Sequence, residues 1–256
     1  MVTLTVDGVA YKYNDQPVFS DISLSISTGE VVSIVGRNGV GKSTLIKCIN
    51  RILSPHKGTV LIDGSDVAPM AQRQRARRFG YLSQKNEQLF PSTVFDVVLT
   101  GRYPHSPLKY TRRDEEITAQ VLAMMELDVF ARRPFNRLSG GEQQQVCIAR
   151  ALAQEADILL FDEPTNNLDL KHQLQIMQLI RKLAREKNIT SILAIHDLNF
   201  AAAYSDRLIV LHNGRVFANG TPVEVFTREV IREVFGVEAK IYDHHGVPHI
   251  AVMHHC

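Results

Sequence analysis

Apolar and polar residues alternate over residues 2–34, with LTV, VAYKY and VFSDISLSI placing an apolar side chain at every second position. That is the period of strands covered on one face, and Asn14-Asp15-Gln16-Pro17 and Thr28-Gly29-Glu30 interrupt it as turns. An antiparallel β-layer is the simplest outcome. Val31 to Val35, Ile158 to Phe161 and the SILAI run at 191–195 are apolar or small without alternation, as parallel strands buried on both faces require. Between them the period becomes helical. Leu45, Ile46, Ile49, Ile52 and Leu53 share one face, and Ser54-Pro55 ends that helix. Further helical stretches cover 92–101 and 113–127, and a long helix after Asp169 carries Leu170, Leu174, Met177 and Ile180 on its predicted buried face. GTVLIDG (58–64) and FGYLSQ (79–84) read as strands, 207–220 as a hairpin about Asn213-Gly214, and 221–236 as a short helical close. The pattern predicts an α/β fold: a mixed, mainly parallel sheet flanked by helices, an N-terminal antiparallel β-layer and an inserted helical subdomain. The expected boundaries are 1–84 and 154–240 for the core, 85–153 for the helical insert and 241–256 for a polar tail.

The segment between the Val31–Val35 strand and the helix opening at Lys42 reads GRNGVGKST, which fits G-x-x-x-x-G-K-[ST] between a strand and a helix. Gly36, Gly39 and Gly41 let the backbone curl so that successive N–H groups converge on phosphate oxygens. Arg37, Asn38 and Val40 complete that loop. Lys42 brings positive charge to the β/γ-phosphates, Ser43 offers a hydroxyl to Mg²⁺, and the dipole of the helix that continues through Thr44 favours an anion. A nucleoside triphosphate site is the reading these residues support.

Other segments are judged against that loop. The strand ending at 162 delivers Asp162 and Glu163 at its mouth, and Pro164 stops the sheet. Two carboxylates there are costly unless a cation or a water needs them; the first suits Mg²⁺ and the second suits activation of water. Ser139 and Glu142, three residues apart, form a capping box, and Gly140 and Gly141 let a phosphate approach the helix they start. A well-capped helix without a ligand has the same local pattern. Gln84 and His196 close two predicted strands at their carboxyl ends, where α/β sheets meet ligands. Tyr13 stands at the first turn, where an aromatic ring can lie on an adenine or simply pack across strands.

Charge and composition narrow the class. Lys+Arg number 29 and Asp+Glu 27, a net charge of +2, so no global attraction to nucleic acid or acidic lipid is implied. Residues 70–78, MAQRQRARR, hold four arginines but no interleaved aromatics, which favours an amphipathic helix over a nucleic-acid patch. No apolar run approaches the ~20 residues that span a bilayer. The start, MVTLTVDG, lacks the regions of a signal peptide, and Cys48, Cys147 and Cys256 suit reduced thiols, so a cytosolic protein is expected. His244, His245, His249, His254 and His255 show no fixed metal-ligand spacing.

Taken together, the loop at 36–43, LSGGE at 138–142 and DEP at 162–164 resemble, in content and order, the ATP-binding subunit of ABC transporters, over nearly the whole chain. The resemblance implies a P-loop NTPase core binding ATP and Mg²⁺. It assigns Tyr13 to adenine stacking and Gly36 through Thr44 to the phosphates. It gives Gln84 to sensing Mg²⁺ and the attacking water, Asp162 to Mg²⁺ and Glu163 to the general base. Asp169 belongs to a loop that speaks across a dimer, and His196 is the switch histidine. Ser139, Gly140, Gly141 and Glu142 would complete the ATP site of a second copy, so the ATP-bound form is expected to be a homodimer. Glu142 stands where the family more often has Gln. VFDVVLTGRYPH (94–105) with HDLNFAAAYSD (196–206) is similar to the importers of iron(III)–siderophores, haem and cobalamin. That implies two transmembrane permease subunits, an external substrate-binding protein, no nucleic acid, and a place on the cytoplasmic face of the membrane. Molybdate or another metal chelate stays open as cargo. A soluble ABC-type ATPase without transport, and a regulator that binds nucleotide without hydrolysis, are the readings from other classes.

Overall fold

A computed structural model describes residues 3–83, 92–166 and 168–255. The chain forms two compact units, Met1–Pro69 with Met177–Cys256, and Met70–Ile176.

In the first unit, β1 (Leu4–Tyr13) and β2 (Gln16–Ile26) pair antiparallel around a turn at Asn14, a residue tolerant of its positive φ of 52°. Leu4, Val6, Val9, Phe19, Ile22, Leu24 and Ile26 point inward, as the alternation predicts. LTV and VAYKY are one strand rather than two. Gly8, at φ 58°, absorbs a register shift between Val6 and Val9 without ending the ladder. Then come β3 (Val31–Val35), buried at every residue, and α1 (Lys42–Ile49). This helix stops earlier than the apolar spacing predicts: Arg51 turns at φ 55° and Ile52 is left 53% exposed. β4 (Lys57–Ile62) pairs antiparallel with β1, and the short β5 (Ser65–Asp66) follows.

The second unit holds α2 (Gln72–Arg78), β6 (Phe79–Leu82), α3 (Val94–Leu99), α4 (Arg112–Met124), α5 (Gly140–Ala153) and β7 (Ile158–Asp162). β6 and β7 run parallel, Phe79 opposite Ile158. The arginine run on α2 is turned to internal work. Arg73 donates to the carbonyls of Pro104 and His105, Arg77 to Pro104 and Arg75 to Met70, while Arg78 pairs with Asp157 at 2.7 Å. Gly101 lets the turn after α3 close on α5, because a Cβ there would strike the Arg150 carbonyl. Beside it, Arg102 is buried and bonds Asp114 at 2.9 Å, the Ala153 carbonyl at 2.6 Å and Glu155 at 2.7 Å. Burial pushes the Asp114 carboxyl up, but bonds from Thr111, Ser106 and Arg102 outweigh it and hold the group well below the usual carboxylate range.

The long α6 (Leu170–Lys187) buries Ile176, Met177, Ile180, Leu183 and Ala184. Leu170 and Leu174, assigned to the buried face by spacing, are instead 65% and 37% exposed, because the covered stripe begins a turn later. β8 (Thr190–Ala194), α7 (Leu198–Tyr204), β9 (Arg207–His212) and β10 (Arg215–Gly220) follow. β3 lies between β8 and β9, parallel to both, and β10 returns antiparallel to β9 through the predicted Asn213-Gly214 turn. After the short helices α8 (Pro222–Val225) and α9 (Arg228–Val230), the chain departs from expectation. The segment read as a polar tail is a hairpin, β11 (Val237–His244) and β12 (Val247–His255), turning at His245-Gly246 with positive φ at both. Histidines mask its alternation, but Ala239 and Ile250 are buried, and Asn199 bonds both the N–H and the carbonyl of Ile250. Cys48 and Cys147 are buried thiols whose burial raises their pKa, to about 12 for Cys48. Among the described residues no helix is long and apolar enough to cross a membrane.

The buried ion pair supplies a stability test. Asp114→Asn should cost about 3 kcal/mol by removing the buried carboxylate from Arg102 and leaving it only the half-exposed Glu155, read as a lower urea midpoint at an unchanged slope. The depressed carboxyl also fixes a pH sign. Its contribution is present above the unfolded pKa of about 4 and is lost as pH falls through the folded value, so the Asn variant should lose less stability than the parent on acidification below about pH 4.

Candidate functional site

β3 ends at Val35, and the next nine residues hold most of the predicted phosphate-binding groups. Gly36 is buried at φ 149°, its Cα so close to β9 that a Cβ would strike the Leu211 carbonyl oxygen. Gly39 lies at φ 78° in open space. Gly41 caps α1 at φ 106°, and a Cβ there would come within 2.7 Å of Val18. The loop is thus curled and pressed against β2 and β9. Lys42 is 5% exposed, and its Nζ donates to the carbonyls of Gly36 at 2.8 Å and Arg37 at 3.1 Å. The ammonium is therefore held across the loop's entrance. Ser43 and Thr44 follow in the first turn of α1, which contains no acidic residue, so nothing there opposes an anion at the positive end of the dipole. Arg37 and Asn38 stand exposed at the tip. Beside Arg37–Val40 lies a recess of about 720 Å³, walled by Pro17–Ser20 and by the His212–Arg215 turn.

The same unit contains two further predicted groups. Tyr13 ends β1 with 47% of its surface exposed, its ring braced edge-on by Tyr11 at 5.0 Å between centroids. His196 follows β8 at its carboxyl end, exposed, two residues beyond Ala194. The Ile195 amide bonds the Ile34 carbonyl at 3.2 Å, so His196 leaves the sheet beside the start of the loop.

The carboxylates lie in the second unit. Asp162 is 2% exposed at the end of β7, and the Tyr81 hydroxyl approaches its Oδ2 at 3.4 Å. Burial, then the Asp162 charge, raise the Tyr81 pKa well above 10, so the phenol stays protonated beside the carboxylate. Glu163 has φ 57°, a left-handed backbone that costs a β-unbranched residue about 1–2 kcal/mol. In the turn that follows, Asn166 Nδ2 donates to Glu163 Oε2 at 3.0 Å. Ser139 caps α5 as predicted: its N–H donates to Glu142 Oε2 at 2.7 Å, and its Oγ accepts from the Glu142 amide at 3.3 Å. Those bonds from Ser139, with Arg133 and His172 nearby, hold the Glu142 carboxyl below its ordinary value. Gly140 is exposed and open on all sides. Asp169 begins the turn into α6 and accepts from His172 through both its amide and its ring.

Several of these contacts have no signal in the sequence motifs. Gln144, buried on α5, donates to the Pro164 carbonyl at 3.0 Å and so ties the LSGGE helix to the DEP turn. Gln173 donates to the Thr165 carbonyl. Gln84 lies outside the described residues.

Residues 19–166 match the family model described as ABC transporter. The chain belongs to the ABC transporter family. An uncharacterized ABC transporter ATP-binding protein of Methanocaldococcus jannaschii is 48% identical, covering 97% of each chain. A hemin import ATP-binding protein of Rhodococcus jostii is 39% identical over 95% of this chain and 83% of its own. Among solved structures, a metal-chelate type ABC transporter in an inward-facing conformation superposes with a TM-score of 0.86 at 27% identity, covering 99% of this chain and 98% of that one. The protein is an ATP-binding cassette, an ATPase with the P-loop fold.

Within the cassette the loop glycines are not equivalent. Gly36→Ala meets a backbone carbonyl and should destabilise by about 2–4 kcal/mol. Gly39→Ala carries only the left-handed penalty of about 1 kcal/mol. Equilibrium urea unfolding of the two variants tests the ranking, with Gly36→Ala expected to have the lower midpoint.

Proposed function

We propose that this cassette powers an importer for a metal chelate of the iron(III)–siderophore, haem or cobalamin class. In this reading it acts as a homodimer that closes on ATP and drives two permease subunits from the cytoplasmic face of the membrane, with cargo delivered by an external binding protein. The observation that carries the proposal is likeness over 95% of the chain to a hemin import cassette and over 99% of it to a metal-chelate type transporter. Engagement of all four α2 arginines inside their own unit weighs against a nucleic-acid partner.

The chain's own groups divide the chemistry. The loop amides of Gly36 through Thr44 bind the phosphates, and Lys42 exchanges its two carbonyl bonds for phosphate oxygens. Tyr13 stacks on the adenine, its ring held by Tyr11. By the family resemblance Ser43, Asp162 and Gln84 would be the groups that hold Mg²⁺, and a hydroxyl, a carboxylate and an amide oxygen are donor types that cation takes. Bound there, Mg²⁺ would offset charge on the phosphates. Glu163 accepts the proton of the attacking water, its carboxylate turned out of the strand by the left-handed backbone. His196 stabilises charge on the transferring phosphoryl group. Ser139, Gly140, Gly141 and Glu142 complete the site of the opposite copy, and Asp169 faces that copy across the pair. ATP then favours the closed dimer by binding it better than the open one, and product release restores the open form.

Glu163→Gln should lower hydrolysis by about 10²-fold or more while retaining ATP binding. The variant should elute as an ATP-dependent dimer on size exclusion. Unchanged turnover would remove Glu163 as base. Cargo class is tested by ATPase stimulation in proteoliposomes containing a partner permease, with ferric hydroxamate, haem, cobalamin and molybdate supplied in turn. Stimulation by molybdate alone would overturn the chelate class.

A further inference from the structure

His172, in the first turn of α6, makes three contacts that no motif accounts for. Its amide donates to Asp169 Oδ1 at 2.9 Å, and its ring Nδ1 lies 2.7 Å from the same oxygen. With Nδ1 as donor, one carboxylate oxygen fixes both the backbone and the ring. The far edge of the ring then rests on the LSGGE helix. A Cβ at Gly141 would lie 2.8 Å from Cδ2, 2.9 Å from Cγ and 3.1 Å from Nε2, so glycine at 141 is what lets the imidazole seat there. The His172 side chain is 28% exposed, against 66% for Asp169, as befits a ring wedged between two segments. The charged groups that interact with it are Asp169 from its own turn and Glu142 from α5, with Lys171 acting on Asp169 and Arg133 on Glu142.

We propose that His172 is a positioning residue for ATP hydrolysis, linking the Asp169 loop to the N-terminus of the LSGGE helix so that both present to the opposite copy in one fixed relation. The inference rests on the reading that Ser139 to Glu142 complete the ATP site in trans. Its physical basis is the reach of the neighbouring side-chain bonds: Gln144 to Pro164 ties α5 to the strand-end turn and Gln173 to Thr165 ties α6 to that turn, and neither bond includes Asp169 or Gly141. His172 touches both. Loss of the ring donor leaves ATP binding by the phosphate loop intact and lets the donor helix shift against the Asp169 loop. The effect belongs to kcat and dimer closure rather than to nucleotide affinity.

The test uses the full chain and four substitutions. His172→Phe keeps a ring on Gly141 but removes the donor, and His172→Asn keeps an amide donor near the Nδ1 position while removing the ring. His172→Phe should lower kcat about tenfold, a loss typical of a small misplacement, with affinity for a fluorescent ATP analogue within about twofold of the parent. His172→Asn should recover most of that loss, and in an Asp169→Ala background His172→Phe should cost little more, since the bond is already gone. Thermal melting confirms that the variants are folded. Parental turnover in His172→Phe, no recovery in His172→Asn, or a loss that adds fully to that of Asp169→Ala would each overturn the proposal. Ser139→Ala separates the two levels. If it leaves hydrolysis unchanged, the trans reading fails and the proposal with it; if it abolishes hydrolysis while His172→Phe turns over at the parental rate, the positioning role alone is lost.

Discussion

Strand β3 is bonded along both edges and covered on both faces, and the cassette's chemistry follows from that confinement. A chain leaving such a strand has no lateral route, so it turns over the carboxyl end of the sheet, where Leu211, Val18 and Phe19 crowd it. Side chains do not fit in that space. Glycine at 36 and 41 is a packing requirement first, and the same absence of Cβ atoms brings backbone amides near the surface where phosphates can reach them. The ammonium of Lys42, bonded to two carbonyls of the loop, offsets its own desolvation with those dipoles. Phosphate oxygens can replace the carbonyls as partners, so binding does not require the lysine to be buried anew.

A second economy governs the unit that holds Asp162 and Glu163. A buried strand delivers both carboxylates to its end, but they are made unlike by backbone geometry. Asp162 stays in the strand, buried beside the protonated Tyr81 phenol, whereas Glu163 is rotated into a left-handed turn and reaches Asn166. Adjacent residues in an extended strand point to opposite faces; the turn at 163 replaces that alternation with a conformation that sets the second carboxylate apart. The stored strain is held by Gln144 on Pro164 and by Gln173 on Thr165, whose bonds over-determine the turn.

Much of this was legible in the sequence because motifs are local. The phosphate loop, the capping box at Ser139 and the hairpin at Asn213-Gly214 are each decided within about ten residues by φ preferences and side-chain reach, and the structure keeps all three. What periodicity missed depended on distant partners. Ile52 sits beyond a helix that ends at Ile49, and Leu170 and Leu174 precede the covered stripe, so their apolar character left them exposed. The terminal hairpin was hidden because histidines occupy positions that alternation scores as polar, while its docking depends on Asn199, fifty-one residues from Ile250. The Arg102–Asp114 pair and the His172–Gly141 contact join residues that no spacing rule connects. The fold of the site was therefore readable, and its bracing was not.

Glu142, the one departure from the family's usual glutamine, follows from the same accounting. A capping box needs an acceptor three residues after Ser139, and a carboxylate accepts more strongly than an amide. It also brings negative charge to a helix end whose positive dipole would otherwise favour a phosphate. Two features limit that conflict. The carboxylate is folded back onto the Ser139 N–H at 2.7 Å, and Arg133 lies close enough to offset its charge. In the proposed site of the opposite copy, the Ser139 hydroxyl and the open face of Gly140 would be left to the ligand. Glutamate thus strengthens the cap at a position where its carboxylate is engaged by the Ser139 N–H.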